Sequence, residues 1–422
     1  MKKYDSYKDS GVEWIGEIPS EWECLRLGML GDFSSSGIDK KLKENETPVR
    51  MVNYTDLIQS RKYYPIQTGE KEYMRVTTPQ SKLEEHRLKK GDMVFIPSSE
   101  THEDLGYSSL IDFDENDIVY SYHILRYKTK KPVYHYYKKY LINHHSVLNQ
   151  FSSECKGTTR QIIGRDVFNN VRVVLPPLSE QQQIVTFLDT KTSLIDSLIE
   201  KTLRKIELLK EKRTSLINEV VTKGLNPNVE MKDSGVEWIG ETPSHWERLK
   251  VKYLGKIRSG DGLESTLIED KGEYPVYGGN GVLGYYSNFN YSKEVLSIGR
   301  VGEKCGNVHF VNERVWINDN SLVFEPNNKV SSLWYIFNSL TQRDLNQLRN
   351  KNTQPLITGT LVKNEYIPLP PVSEQQQIVE YLDEQTGLID NTISIEEKRI
   401  ELLKEYRQSL ISEVVTGKRK VV

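Results

Sequence analysis

The sequence predicts an α+β chain in which two globular α/β domains are separated by two long helices that form an antiparallel coiled coil, in a pseudo-twofold repeat. Three observations predict it. A short aromatic segment occurs twice, a long helical segment occurs twice, and the stretches between them differ in length and in sequence. Internal repeats set the architecture before any local reading does.

The aromatic segment runs Lys8-Asp9-Ser10-Gly11-Val12-Glu13-Trp14-Ile15-Gly16-Glu17 and on through Pro19-Ser20 to Trp22-Glu23. It returns from Lys232 to Glu247, and 14 of 17 positions match when residues 7 and 231 are aligned. It holds four of the six tryptophans, Trp14, Trp22, Trp238 and Trp246, among charged residues. Gly11, Gly16, Gly235 and Gly240 interrupt regular structure. The segment reads either as a packing strap docked by its aromatics or as part of a partner-binding surface.

The helical segment begins at Leu175-Pro176-Pro177, continues through Ser179-Glu180-Gln181-Gln182-Gln183-Ile184-Val185 and ends near Thr222. Its copy runs from Leu369-Pro370-Pro371 to Thr416, with 31 of 48 residues identical at an offset of 194. Ser179 followed by Gln182 suits a capping box, and Ser373 with Gln376 repeats it. Beyond the cap, steps of four and three residues define a seam: Ile195, Ile199, Thr202, Ile206, Leu209, Arg213, Leu216, Val220. The copy reads Ile389, Ile393, Glu396, Ile400, Leu403, Arg407, Leu410, Val414. That spacing is a coiled-coil signature, and the polar seam positions serve register at some cost in stability. The expected helix-pairing residues are Ile195, Ile206, Leu209, Leu216, Ile389, Ile400, Leu403 and Leu410. A helix of about 40 residues spans about 60 Å. The bland alternative is two amphipathic helices, each packed on its own domain.

The expected organisation is a tag (1–23), a first variable domain (24–174), a long helix (175–224), a linker with the second tag (225–247), a second variable domain (248–368) and a second long helix (369–422). The variable domains carry β-type runs at 93–97, 118–125, 295–300, 308–311 and 321–324, then aromatic helical stretches at 133–148 and 330–348. This alternation predicts mixed α and β domains.

In the first variable domain, Arg126, Lys128, Lys130, Lys131, Lys138 and Lys139 alternate with tyrosines and no acid. Such a strip suits phosphate contact; its bland reading is an amphipathic helix with core tyrosines and solvated lysines. Polar loops at Asn53-Tyr54 and Pro97-Ser98-Ser99-Glu100-Thr101-His102 join it, with Arg160. In the second, Tyr277-Gly278-Gly279-Asn280-Gly281, Tyr285, and Gly299-Arg300-Val301-Gly302-Glu303-Lys304-Cys305-Gly306-Asn307 form glycine-rich loops ahead of His309. Arg and Asn can pair bidentately with guanine and adenine edges. Tight hairpin turns use the same residues.

Composition narrows the classes. The chain has 422 residues, 37% hydrophobic and 27% charged, with 57 basic and 59 acidic side chains. The balance does not advertise nucleic-acid binding, so cationic groups serving that role have to be segregated locally. No apolar run approaches the roughly 18 residues of a membrane span, and the polar N-terminal stretch has no signal-peptide core, so the expected location is cytoplasmic. Cys24, Cys155 and Cys305 stand far apart, which argues against zinc or a disulfide framework and for single buried thiols. There is no phosphate-binding Gly-x-x-x-x-Gly-Lys-Ser/Thr loop and no Gly-x-Gly-x-x-Gly loop. Asp261, Glu269 and Lys271 only loosely imitate a metal-nuclease triad. His102, His123 and His309 have no convincing nucleophile spacing.

The two Leu-Pro-Pro-x-Ser-Glu-Gln-Gln-Gln-Ile-Val openings and the two Asp-Ser-Gly-Val-Glu-Trp-Ile-Gly tags resemble the specificity subunit of type I restriction-modification systems, over the whole chain. Gly299-Arg300-x-Gly302 and Cys305-Gly306-Asn307-Val308-His309-Phe310 resemble one class of target-recognition domain. The resemblance implies that each variable domain reads one half of a split site in double-stranded DNA. It also implies that the helices set the gap and dock two methyltransferase subunits, and that restriction/motor subunits join. S-adenosylmethionine, ATP and Mg²⁺ would belong to those partners, with no catalytic residue, cofactor or metal in this chain. The expected DNA-binding residues are Asn53, Tyr54, Ser98, Ser99, Thr101, His102, Lys128, Lys130, Arg160, Tyr277, Asn280, Tyr285, Arg300, Lys304, Asn307 and His309. A self-contained endonuclease and a coiled-coil protein scaffold are the alternatives.

Overall fold

The computed structural model describes residues 3–61, 65–157, 159–327, 332–350 and 355–421. The chain divides into two compact units, Met1–Thr202 with Lys398–Val422, and Leu203–Glu397. Two long helices, α1 (Leu178–Lys223) and α2 (Val372–Val415), each contribute to both units.

Inside the first unit, the early part of α1 meets the late part of α2. Ile184, Leu188 and Ile195 share a core with Leu410, Ile411 and Val414. Inside the second unit the relation reverses, and Ile217, Val220 and Val221 of α1 pack with Ile378 and Leu382 of α2. The two helices are therefore antiparallel within each unit. Ile206, Ile389 and Ile400 are buried along the seam, while Leu209, Leu216 and Leu403 are partly covered. Three of the four polar seam positions hold ion pairs, Glu396 with Lys205 at 2.5 Å, Arg213 with Asp390 at 2.9 Å and Arg407 with Asp196 at 2.9 Å, while the buried Thr202 donates to Leu198 O at 2.8 Å.

The expected capping box is corrected. Because α1 begins at Leu178, with Gln181 N donating to Pro177 O, Ser179 lies inside the first turn and Pro177 holds the cap position. Gln181 does the anchoring. Its Nε2 donates to Pro176 O at 2.7 Å, and its Oε1 accepts from Tyr134 N at 2.8 Å. In the second unit α2 begins at Val372, so Ser373 is also internal. Gln375 repeats both bonds, to Pro370 O and from Ser332 N, each at 2.9 Å.

Each tag folds into a small antiparallel ribbon, Tyr7–Asp9 with Glu17–Pro19 and Met231–Asp233 with Glu241–Pro243. Trp22 and Trp246 are fully buried. Trp22 Nε1 donates to Glu180 at 3.2 Å, and Trp246 Nε1 donates to Glu374 at 2.8 Å. Both carboxylates sit in the first turn of a long helix, where the helix dipole also favours negative charge. The far end of the other helix closes the same pocket. A Cβ on Gly417 would lie 2.2 Å from Pro19, and one on Gly224 would lie 2.9 Å from Trp246. Trp22 and Trp246 thus act as straps, whereas Trp14 stays exposed.

Two-stranded necks, Glu23–Arg26 with Arg172–Leu175 and Glu247–Lys250 with Tyr366–Leu369, join each variable domain to its helix. The limits drawn at 23/24, 174/175, 247/248 and 368/369 fall at or within these ribbons. Fully buried tyrosines anchor the domains from inside. Tyr335 OH lies 3.0 Å from both Val221 O and Pro368 O, and Tyr137 OH lies 3.4 Å from Val174 O.

The variable domains share little sequence but one topology. The first contains β1 (Gly31–Ser34), β2 (Thr47–Val52), β3 (Ile66–Gln67), β4 (Met74–Thr78), β5 (Met93–Phe95), β6 (Ser98–Ser99), β7 (Ser108–Ile111), β8 (Ile118–Tyr120) and β9 (Leu125–Thr129). Its sheets run β1-β9-β5-β7-β3 and β8-β2-β4. The second contains β10 (Gly255–Ser259), β11 (Tyr274–Gly278), β12 (Gly281–Tyr286), β13 (Val295–Gly299), β14 (Val308–Val311), β15 (Trp316–Ile317) and β16 (Ser321–Pro326), in sheets β10-β16-β13-β14 and β15-β11-β12. Apart from the edge strand β3 and the short β6, which have no counterpart strand in the second domain, these are the same pairings in the same chain order. The parallel contacts of β8 with β2 and of β11 with β15 are included.

Two sequence readings are corrected here. The apolar run 118–125 is not one strand: it turns after Tyr120 and supplies β8 and β9 to different sheets. The stretch 133–148 is broken as well, into a short helical segment at 135–141 and a new helix at His145–Ser153. The stretch from 330 contains the helix Leu333–Gln342 and a 3₁₀ turn at Leu345–Leu348; Val330 itself lies outside the described residues.

Candidate nucleic-acid interface

In the first unit, loops 35–40, 53–54, 97–104, 121–124 and 159–162 gather at one end of the two sheets. Ser121 N donates to Val52 O and Tyr122 N to Ile38 O, both at 3.0 Å. Tyr54 OH donates to Asp104 Oδ2 at 3.0 Å and lies 3.2 Å from Ser99 Oγ, and Thr101 Oγ1 donates to the same carboxylate at 2.6 Å. β6 pairs with Gln161–Ile162, which places Arg160 beside this network. Gln161 Nε2 lies 2.6 Å from His102 Nε2.

Seven of the expected residues, Asn53, Tyr54, Ser98, Ser99, Thr101, His102 and Arg160, are therefore brought together. Their roles differ. Asn53 is buried, and its Oδ1 accepts from Thr55 N at 2.9 Å and Thr55 Oγ1 at 2.5 Å, so it caps the helix Tyr54–Arg61. Ser99 is buried within the loop network. Arg160 is exposed. Burial raises the Tyr54 phenol, and the charge of Arg160 opposes that shift.

The lysine strip is corrected. Tyr127 registers with Met93, so Lys128 lies past the start of β5, at the end of the sheet away from Ser98. Lys130 pairs with Asp32 at 2.7 Å. Lys138 and Lys139 are buried, donating to Gly91 O at 2.7 Å and pairing with Asp189 at 2.6 Å. Long alkyl stems let lysines line a core while the ammonium finds a partner. Tyr127, Tyr137 and Tyr140 are core residues, as expected.

The expected DNA-binding residues do not include Tyr122 and His123. Tyr122 is 49% exposed, and its ring centroid lies 3.8 Å from that of His123. Burial, then the charges of Lys40 and Arg160, lowers the His123 pKa, disfavouring the charged imidazole in this corner. The signal that could have exposed them is the paired Tyr-His interrupting an otherwise apolar run.

In the second unit, Gly279-Asn280 forms the two-residue turn between β11 and β12. Its backbone lies so close to the next loop that a Cβ on Gly299 would sit 2.1 Å from Gly279 O. Asn307 Nδ2 donates to Asn280 Oδ1 at 3.2 Å, and the Tyr277 and His309 rings meet edge-on at 6.1 Å. Arg300 Nη1 donates to Ser259 Oγ at 3.1 Å, and Arg300 N donates to Asn320 O at 2.9 Å. Tyr277, Asn280, Arg300, Lys304, Asn307 and His309 thus share one edge. Burial lowers the His309 pKa, and its buried Nε2 has no hydrogen-bond partner among the described residues. Tyr285 lies along β12 opposite Pro275, where its backbone exchanges bonds with Glu269, away from the Asn280 turn.

Asp261 and Glu269 are engaged locally. Asp261 Oδ2 accepts from Asn290 Nδ2 at 2.9 Å, and Trp316 Nε1 donates to Asp261 O at 3.2 Å. Among the described residues no group of three His, Cys, Asp or Glu side chains is placed to hold a metal. Cys305 is buried, but Cys24 and Cys155 are only half-buried, which corrects the expectation for those two thiols. No described helix is long and apolar enough to cross a membrane.

An apolar face on the long helices stays uncovered. In the second unit Tyr381, Leu388 and Ile395 of α2 recur every seven residues, with Leu388 58% and Ile395 64% exposed. In the first unit Leu194 of α1 and Leu402 of α2 are exposed. Leu388, Ile395, Leu402 and Leu194 each precede a seam residue, a turn of about 100° away from the helix contact.

Residues 19–208 and 243–405 match the family described as the Type I restriction modification DNA specificity domain. A Methanocaldococcus jannaschii sequence designated the MjaX specificity subunit of a type I restriction enzyme is 25% identical over 427 residues, covering 96% of each chain. The EcoprrI specificity subunit of Escherichia coli is 32% identical over 141 residues, 32% of this chain and 35% of that one. Among solved structures, a chain from a type I R-M system superimposes with a TM-score of 0.71 at 17% identity, covering 95% of this chain and 99% of that one. The HsdS subunit of Thermoanaerobacter tengcongensis gives 0.53 at 17% identity, covering 95% and 98%. These likenesses support the two-domain, long-helix fold, and the chain belongs to the family of type I restriction-modification DNA specificity subunits.

Proposed function

We propose that each variable domain reads one half of a bipartite site in double-stranded DNA and that the antiparallel helices set the distance between the halves. The observation that carries this reading is one topology built twice on a duplicated frame, with unlike side chains on the loop edges. A shared scaffold with different edges suits two different half-sites. Exposed cations such as Arg160 position the duplex by its phosphates, and amides such as Asn280 and Asn307 read base edges.

The uncovered apolar face of α1 and α2 suits helices of two methyltransferase subunits, since exposed residues at heptad spacing form a ready seam for a further helix. Restriction/motor subunits join that assembly in the cytoplasm. S-adenosylmethionine, ATP and Mg²⁺ act in those partners, and this chain supplies the address without a catalytic centre.

The test is co-expression with a cognate methyltransferase and genome-wide mapping of modified adenines. Exchanging residues 248–368 for a different recognition domain is expected to change one half of the motif and leave the other intact. Both halves changing, or neither, would refute modular reading.

A further inference from the structure

The two variable domains can be aligned by hydrogen bonds instead of sequence, and one turn then stands out. In the first unit, between β8 and β9, Ser121 N donates to Val52 O at the end of β2. Ile124 N donates to Ser121 O, and His123 N donates to Ser121 Oγ. In the second unit, between β15 and β16, Asn318 N donates to Tyr277 O in β11. Ser321 N donates to Asn318 O, and Asn320 N donates to Asn318 Oδ1. These three bonds of the first turn each have a counterpart in the second. The residue that caps the turn is buried in both, Ser121 and Asn318. The two residues at the tip are unlike: Tyr122-His123 in one, Asp319-Asn320 in the other.

Each tip lies inside the loop cluster already described. Tyr122 N bonds Ile38 O, and His123 feels Lys40 and Arg160. In the second unit Arg300 N donates to Asn320 O, and Asn320 O also lies 3.3 Å from where a Cβ on Gly279 would be. The turn is therefore wedged between the Asn280 hairpin and Arg300. Asp319 and Asn320 are exposed, as is Tyr122. A rigid, duplicated backbone that presents different side chains is the arrangement expected of a reading element, because packing alone would keep the tip residues alike or leave them free to move.

We infer that the turns 121–124 and 318–321 determine sequence preference, with Tyr122 and His123 choosing bases in one half-site and Asp319 and Asn320 in the other. Asp accepts from the cytosine amino group, and Asn pairs with adenine. The inference rests on the proposed bipartite DNA reading.

The experiment uses the full chain with its methyltransferase partner. Motifs are mapped for the native chain, Tyr122→Ala/His123→Ala, Asp319→Ala/Asn320→Ala and the near-isosteric Asp319→Asn. Far-ultraviolet circular dichroism melts accompany each variant. Each alteration is expected to relax or change one half of the motif only, with discrimination at one or two positions falling about 5- to 150-fold. Melting and the salt slope of DNA binding should be unchanged, which separates base reading from folding and from phosphate contact. A native motif retained in both halves by all the variants, Asp319→Asn included, would overturn the inference while the bipartite reading stood. No bipartite motif from the native chain would overturn both.

Discussion

Arg213 of α1 donates through Nε to both carboxylate oxygens of Asp390 in α2, at 2.9 and 3.1 Å, and the duplicated frame contains the same pair again as Arg407 with Asp196. The repeat offset of 194 converts one pair into the other. An antiparallel pair of equivalent helices has this property only at one register, so the two ion pairs mark the alignment that each unit adopts. The energetic weight of the two differs, because Arg407 and Asp196 are less exposed than Arg213 and Asp390.

Arg213→Ala is accordingly expected to cost no more than about 1 kcal/mol, the usual range for exposed pairs. Arg407→Ala should cost more. Urea denaturation of both variants checks the order; equal losses would show that burial does not separate the pairs.

Trp22→Ala is expected to destabilise the protein by about 3–5 kcal/mol, as for other large buried side chains. Trp22→Phe keeps most of the packing but leaves Glu180 without the indole donor, at a cost of about 1–3 kcal/mol. Trp246→Phe should do the same through Glu374. A Trp22→Phe melt identical to the native one would mean the strap is held by packing alone.

Tyr335→Phe removes the hydroxyl between Val221 O and Pro368 O in a fully buried site. The loss expected is about 1–3 kcal/mol. Thermal denaturation followed by circular dichroism reads it.

His144 is buried with no partner for Nδ1 among the described residues, and its pKa is lowered from 6.5 to about 3. Burial is the main cause; His145 and Lys418 push the same way, and the Leu141 backbone opposes. Below pH 6.5 the unfolded chain binds a proton that the folded chain refuses. Stability from this group is complete above pH 6.5 and falls as pH drops towards 3, by at most about 1.4 kcal/mol per pH unit. His144→Gln should flatten the stability profile between pH 6 and 4 relative to the native chain.

Asn53→Ala should lower stability by about 0.5–2 kcal/mol through the lost cap, with specific and random duplexes affected alike. Arg160→Ala should instead leave melting unchanged, weaken binding across sequences and reduce the salt slope by about one. Fluorescence anisotropy at several salt concentrations distinguishes the two.

Much of the frame was legible in the primary structure. Ile195, Ile206, Ile389 and Ile400 recur at coiled-coil spacing, and all four are buried on the helix seam. Repeats and heptads are local patterns that survive without knowledge of the rest of the fold. The loop clusters were legible in part, because Gly, Asn and Ser mark turns by their backbone preferences. The lysine strip misled, since Lys138 and Lys139 find Gly91 O and Asp189 only after the chain folds back on itself.

By itself the sequence determined the duplicated frame, the two long helices, the unlike domains between them and the family resemblance, all carried by short-range periodicity or by identity between copies. Tertiary structure decided that two dissimilar sequences share one strand order, that Gln181 rather than Ser179 secures the helix start, and that Tyr122 and Asp319 occupy matching turns. Those outcomes depend on hydrogen bonds between residues far apart in the chain, such as Ser121 to Val52 and Asn318 to Tyr277. Local propensity is silent about bonds of that kind, because their partners meet only when the sheets assemble.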